Sequence, residues 1–249
     1  MPVPSARGRI RDAPIVVGVD GCRGGWVAAV LDIRTRSVSA AIVSTFEELM
    51  RRHLASAAMT IVDMPIGLAD AGRRDCERQA RKALGRGRAS SVFAAPRRPM
   101  LDCPDYATAN ALGKRQGTEG GGGLSRQAWG ILPKIKEIDA AIGPRDQARL
   151  GEGHPEVAFL RLGGAPCRHS KRTREGLRER HEILTRRQIV NAQALLEDLK
   201  KNHRGAIACD DVFDACALAL TAEARLAGEA LRFSNEARDA RGLVMEIWG

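Results

Sequence analysis

The chain has 249 residues, enough for one full core or a domain with a substantial insertion, so a separate second domain is not required. Its net charge of +10, carried by arginine excess, suits phosphate-rich partners but equally reflects genome composition. Six scattered cysteines without a CxxC or zinc-like spacing, no apolar leader and no run long enough to span a bilayer argue against a disulfide scaffold and a membrane protein, and predict reduced thiols in a cytoplasmic protein.

Residues 1–14 read as a loose basic tail, and structure is expected to begin abruptly at IVVGVD, a continuous apolar run of central-strand length that ends in Asp20. Gly21, Gly24 and Gly25 break the run before WVAAVLD, predicting a hairpin, and a second turn around Arg34 to Ser37 leads into a third strand, VSAAIVS. Thr45 followed by Glu48 is a capping-box signature for a helix through LMRRHLA. That helix leads to TIVD, a fourth strand ending in Asp63 before Pro65 and Gly67. Two tight turns make the first three strands an antiparallel meander, while the helix lets strand four return parallel to strand one. If those strands are neighbours, Asp20 and Asp63 share one edge of the sheet.

From about residue 69 to 144 the chain is rich in arginine and glycine, including SSVFAAPRRP and Gly120 to Gly123, and reads as a mostly helical insertion over the sheet edge. Ser125 starts a helical pattern that Pro133 should interrupt. HPEVAFLRL reads as a return to the core, followed by the basic loop HSKRTR and one long amphipathic helix from about Glu175 to Lys200. A last helix is expected from Asp210 through FDACALALTAEARLA, apolar almost all round and therefore buried, and VMEIW as a final strand.

Carboxylates at the ends of buried segments cost free energy unless paired or bound to a metal. Asp20, Asp63, Asp211 and Asp214 are therefore candidate ligands and catalytic groups. Alternatives stay open: Asp20 before glycine suits a hairpin turn, or a turn whose NH groups bind phosphate, and Asp63 suits a strand end. Asp210 is a natural N-cap, whereas Asp211 and Asp214 lie three apart on one helix face, so one or both would ligate. Glu152 and Glu156 flank His154 and offer a further ligand or general base, or a solvated loop.

The blocks VGVDGCRGGW, VDMPIGL, GRRDCERQARKALG, SSVFAAP, GLSRQAWGILPKIKEID, HPEVAF, HSKRT, DDVFDA and RDARGLVMEIWG stand in the order found in the predicted RNase-H-like nucleases, the domain-of-unknown-function family numbered 429. The chain resembles that family over nearly its whole length after the tail. The resemblance implies an α/β fold with an RNase-H-like mixed sheet: a three-strand meander plus parallel strands, flanked by helices. In the wider superfamily, acids on strand one, strand four and the last helix hold two metals, and Asp20, Asp63, Asp211 and Asp214 match those places. Strand four carries Asp63 where many resolvases carry the longer glutamate.

The expected activity is phosphodiester hydrolysis with Mg²⁺ (or Mn²⁺), because hard oxygen ligands suit these ions. Glu156 joins the catalytic set, and Arg126, Lys134, Lys136 and Lys171, with Arg97 and Arg98, are expected to hold substrate phosphates, or to form a solvated basic face. Nucleic acid is the expected partner, DNA or RNA undetermined, and the oligomeric state stays open, a homodimer included. Two alternatives are an actin-like or sugar-kinase-like ATP-dependent phosphotransferase, disfavoured by the lack of a second DxG-type strand and turn in residues 150–249, and a non-catalytic nucleic-acid adaptor.

Overall fold

A computed structural model describes residues 15–115 and 122–249. The expected tail and the first two glycines of the four-glycine run lie outside the described residues. The described chain divides into two compact units, one of residues 15–64, 149–232 and 248–249, the other of residues 65–115, 122–148 and 233–247.

The first unit is built on a mixed five-stranded sheet in the order β3-β2-β1-β4-β5. The strands are β1 Ile15–Cys22, β2 Gly25–Asp32, β3 Val38–Val43, β4 Met59–Val62 and β5 Leu150–Glu152. β1 pairs antiparallel with β2, β2 antiparallel with β3, and β4 parallel with both β1 and β5. The meander and the parallel return are therefore as the tight turns and the intervening helix dictate. The hairpin depends on Gly25, whose φ is +125° and whose hypothetical Cβ would stand 2.1 Å from the Val43 carbonyl oxygen.

Thr45 accepts from the Glu48 NH at 3.2 Å and so caps α1, Phe46–Leu49, which continues as a π-helical turn, Met50–Leu54. Phe46 meets Trp26 edge-on, with centroids 5.3 Å apart. A second group of helices comprises α6 Pro155–Gly163, α7 Arg174–Arg186, α8 Ala192–Asn202 and α9 Asp211–Ala227, numbered after α2 to α5 of the second unit. α9 is buried along nearly its whole length and packs chiefly on β1. The contact is backbone to backbone at Gly18, where a Cβ would lie 2.0 Å from the Ala215 carbonyl oxygen. A glycine in mid-strand thus lets the buried helix reach the sheet, and with it the acidic first turn.

Two expectations need correction. The helix expected from Glu175 to Lys200 is two helices, α7 and α8, because Gln188 takes a left-handed φ of +66° between them. The break turns Ile189 and Ala192 into the core, and Asn191 donates to the Val38 carbonyl at 2.9 Å. Asp210 occupies the N-cap position of α9 without capping it; Asp211 instead accepts from the Ala208 NH at 2.8 Å.

The second unit contains α2 Asp75–Arg88, α3 Tyr106–Arg115, α4 Arg126–Gly130 and α5 Leu132–Ala141, the last two separated just before Pro133. It also holds residues 233–238 and 244–247 of a two-stranded sheet, β6 Arg232–Arg238 and β7 Val244–Trp248, the latter being the expected VMEIW strand; Arg232 and Trp248 count with the first unit. Trp248 itself bridges in parallel to Gly153 in the first unit, beyond the end of β5.

Candidate acidic site

Parallel registry sets the site. Val19 of β1 pairs with Val62 of β4, so the next residues, Asp20, still paired to β2, and Asp63, just past the end of β4, stand side by side. The Asp63 NH donates to the Val19 carbonyl at 2.8 Å, which holds the two chain segments together at that edge. The first turn of α9 brings Asp211 and Asp214 to the same place: Asp63, Asp214 and Asp211 all repel charge on Asp20. Asp214 is fully buried, and Asp20 and Asp211 are buried.

One ammonium enters this cluster. Lys171 Nζ lies 2.6 Å from Asp214 Oδ2 and 2.7 Å from Asp210 Oδ2. Its loop is pinned on both flanks to α7: Arg168 and His169 donate backbone NH groups to Glu179 at 2.8 and 2.9 Å, and Thr173 accepts from the Gly176 NH at 3.1 Å. Arg180, fully buried, donates to the His169 carbonyl at 3.2 Å and pairs with Glu156. The HSKRT segment is therefore a rigid arm that delivers Lys171, and Arg180 is the hidden brace that sequence reading missed.

Four aspartates, Asp20, Asp63, Asp210 and Asp214, interact with this ammonium, and Asp211 adds its charge against Asp20 and Asp63. Burial first, then Asp63 and Asp214, push the Asp20 carboxyl well above its ordinary range. Burial likewise raises Asp63 and Asp214 to about 6, although Lys171 opposes the shift in both. For Lys171, burial pulls the ammonium down, but Asp214, Asp20 and Asp210 outweigh it and drive it up. The cluster is thus under-neutralised, and Asp214 Oδ1 is buried with no hydrogen-bond partner. Among the described residues no three His, Cys, Asp or Glu side chains form a ready-made metal cage. The lysine holds two of the carboxylates in its place.

A pH dependence follows. A carboxylate with its folded pKa above its unfolded value takes up protons preferentially when folded, so stability falls as pH rises from about 4 through about 6 and then levels off. For Asp63 and Asp214, raised from 3.8 to about 6, the loss between pH 5 and 7 should be about 1 kcal/mol each. His53, lowered by burial, works in the opposite direction in this range. Urea midpoints of wild type and Asp63→Asn at pH 5 and 7, without divalent ions, isolate the aspartate contribution. The variant should show the flatter or more upward pH response, and identical responses would remove Asp63 from the account.

Other candidates fall in several places. Glu152 is buried at the end of β5, its residue in register with Val62. Glu156, in the first turn of α6, spends one oxygen on Arg180, leaves Oε2 without a hydrogen-bond partner, and raises Asp63 through its charge. His154 caps that helix, its Nδ1 accepting from the Glu156 NH at 3.2 Å. The alternative of a phosphate-gripping glycine turn loses ground at Gly24, whose NH donates to the Ala206 carbonyl at 2.9 Å.

Arg126, Lys134 and Lys136 belong to the second unit, where Arg126 stacks over Tyr106 at 3.8 Å from the ring centroid. Arg97 and Arg98 brace that unit: Arg97 is buried and donates to the Gly113 carbonyl at 2.7 Å, and Arg98 bridges Asp139 and Asp239. No described helix is long and apolar enough to cross a membrane.

Comparison with known proteins returns one family. The family model described as "Protein of unknown function (DUF429)" matches residues 18–239. Neither a curated protein nor a solved structure matches the chain.

Proposed function

The chain belongs to the DUF429 family, and from that premise we propose that its acidic site binds divalent metal and hydrolyses phosphodiester bonds in nucleic acid. The observation that carries the reading is the convergence of carboxylates from β1, β4 and α9 in excess of their one lysine, with an oxygen of fully buried Asp214 unpartnered. The donor set is all oxygen, which suits Mg²⁺ or Mn²⁺. An RNase-H-like fold is supported by the β3-β2-β1-β4-β5 order with its antiparallel meander and parallel return.

Asp20, Asp63 and Asp214, with Asp211 beside them, would hold the metal, which when bound supplies Lewis-acid activation of water and neutralises charge at the phosphate. The residues' own work is to supply negative charge already desolvated, so that little reorganisation is needed when a cation enters. Lys171, its side chain 36% exposed, stands at the rim and would bind a phosphate oxygen once released from Asp214. Glu156, committed to Arg180, fixes that pair within the wall of the site.

The testing assay is incubation of labelled DNA and RNA, single-stranded, duplex and branched, with Mg²⁺, Mn²⁺ or EDTA. Metal-dependent cleavage, abolished by EDTA, is expected; absence of cleavage on every substrate would sink the nuclease reading. One observation favours a second reading, a non-catalytic adaptor, namely that Lys171 already neutralises part of the site. Under either reading, nucleic-acid affinity should fall steeply between about 50 and 200 mM salt, because the arginine excess behind the net charge of +10 and the lack of a base-reading motif in the sequence favour phosphate contacts over base contacts. A flat salt response would remove phosphate recognition from the account.

A further inference from the structure

At the end of the sheet away from the aspartates lies a cavity of about 480 Å³. Its position follows from registry: Asp20 pairs with Val27, whereas the cavity adjoins the turn that follows Asp32, five residues farther along β2 and so roughly 17 Å away. Five arginines line it, Arg34, Arg36, Arg161, Arg186 and Arg187, against two carboxylates, Glu223 and Glu229. The volume is that of a small-molecule pocket, too small for a folded partner.

The arginines are held in place by the backbone. The turn carrying Arg34 and Arg36 is fixed by Asp32, whose Oδ1 accepts from the NH groups of Arg34 and Thr35 at 2.9 and 3.1 Å. Arg36 adopts a left-handed φ of +61°, unusual for a side-chain-bearing residue, and reaches Glu223 at 2.6 Å and the Arg187 carbonyl at 3.1 Å. Arg187 donates to the Leu162 carbonyl at 2.8 Å, and Arg161 to the Leu220 carbonyl at 3.1 Å. The carbonyl contacts orient Arg161 and Arg187 without neutralising them, whereas Arg36 is paired with Glu223. Arg161 and Arg187 repel each other. The Nε groups of Arg36 and Arg161 are buried without a hydrogen-bond partner, so these two guanidiniums meet few acceptors within the protein itself. Buried Leu162, Leu220 and Ala224 add an apolar wall.

We propose that this arginine cavity is a binding site for an oligophosphate group, free or carried on a nucleoside. Preset guanidiniums recognise phosphate oxygens in pairs, an oligophosphate matches several cationic groups at once, and the apolar wall suits the base or sugar of a nucleotide. The site is separate from the carboxylates and does not depend on their metal.

The test is calorimetric titration of the full chain with ATP and, separately, tripolyphosphate, in EDTA so that the acidic site takes no part. Binding of one molecule per chain is expected for at least one of the two. If ATP alone binds, the ligand is nucleotide; if both bind, the oligophosphate suffices. Arg161→Gln should weaken binding about tenfold or more, the scale of one charge-assisted hydrogen bond. Arg34→Ala with Arg186→Ala, both exposed and safe for folding, should do the same. Arg51→Ala, equally exposed but outside the cavity, should leave affinity unchanged. Failure of both ligands to bind, or equal weakening by Arg51→Ala, would overturn the proposal.

Discussion

Asp20→Asn is expected to lower metal-dependent cleavage at least about a hundredfold while raising the thermal midpoint of the metal-free protein. Removing groups that merely orient metal ligands costs about ten- to a hundredfold, so loss of a ligand should cost no less. The stability gain has a different origin. Asp20 is buried beside Asp63, Asp214 and Asp211, and its charged form is disfavoured first by that burial and then by those neighbours. A neutral isostere relieves both. A gain of about 1 kcal/mol would raise the midpoint by roughly 2–4 °C in a chain of this length. An aspartate serving only a hairpin turn would show neither effect. Well-folded Asp20→Asn protein with full activity would refute the assignment.

Lys171→Met should act in the opposite sense on stability. It deletes the ammonium paired with Asp214 and Asp210 and leaves a fully buried carboxylate without its counter-charge. Breaking a buried pair on one side costs about 3–5 kcal/mol, and the partial exposure of Lys171 reduces that to about 2 kcal/mol, or roughly 5 °C. Divalent cations should then rescue the variant more than they stabilise wild type, because lysine and metal compete for the same carboxylates. Thermal melts with and without Mg²⁺ or Mn²⁺ read both effects. A variant as stable as wild type, or one indifferent to metal, would contradict the competition.

The sheet was legible because its strands are continuous apolar runs punctuated by glycine and proline. The hairpin at Gly25 and the stop before Pro65 leave few other arrangements, and the placement of Asp20 and Asp63 follows from that topology alone. Less visible was the break at Gln188, since a non-glycine residue at positive φ carries no breaker signal. Strand β6, RFSNEAR, is polar and largely exposed, so no apolar pattern marks it. Arg180 reads in sequence as a solvent-facing residue of an amphipathic helix, and its burial against Glu156 depends on how α7 packs on α6. The role of Lys171 was half legible. Its basic loop stood out, but contact with Asp210 and Asp214 joins segments some forty residues apart, which local pattern cannot reveal.

The central claim, that the aspartates from β1, β4 and α9 are a cation site, is tested most directly by anomalous diffraction from crystals soaked in Mn²⁺. The account predicts a peak bounded by Asp20, Asp63 and Asp214, with Lys171 withdrawn from Asp214. Crystals that show no peak there at saturating Mn²⁺, with Lys171 still paired to Asp210 and Asp214, would contradict it.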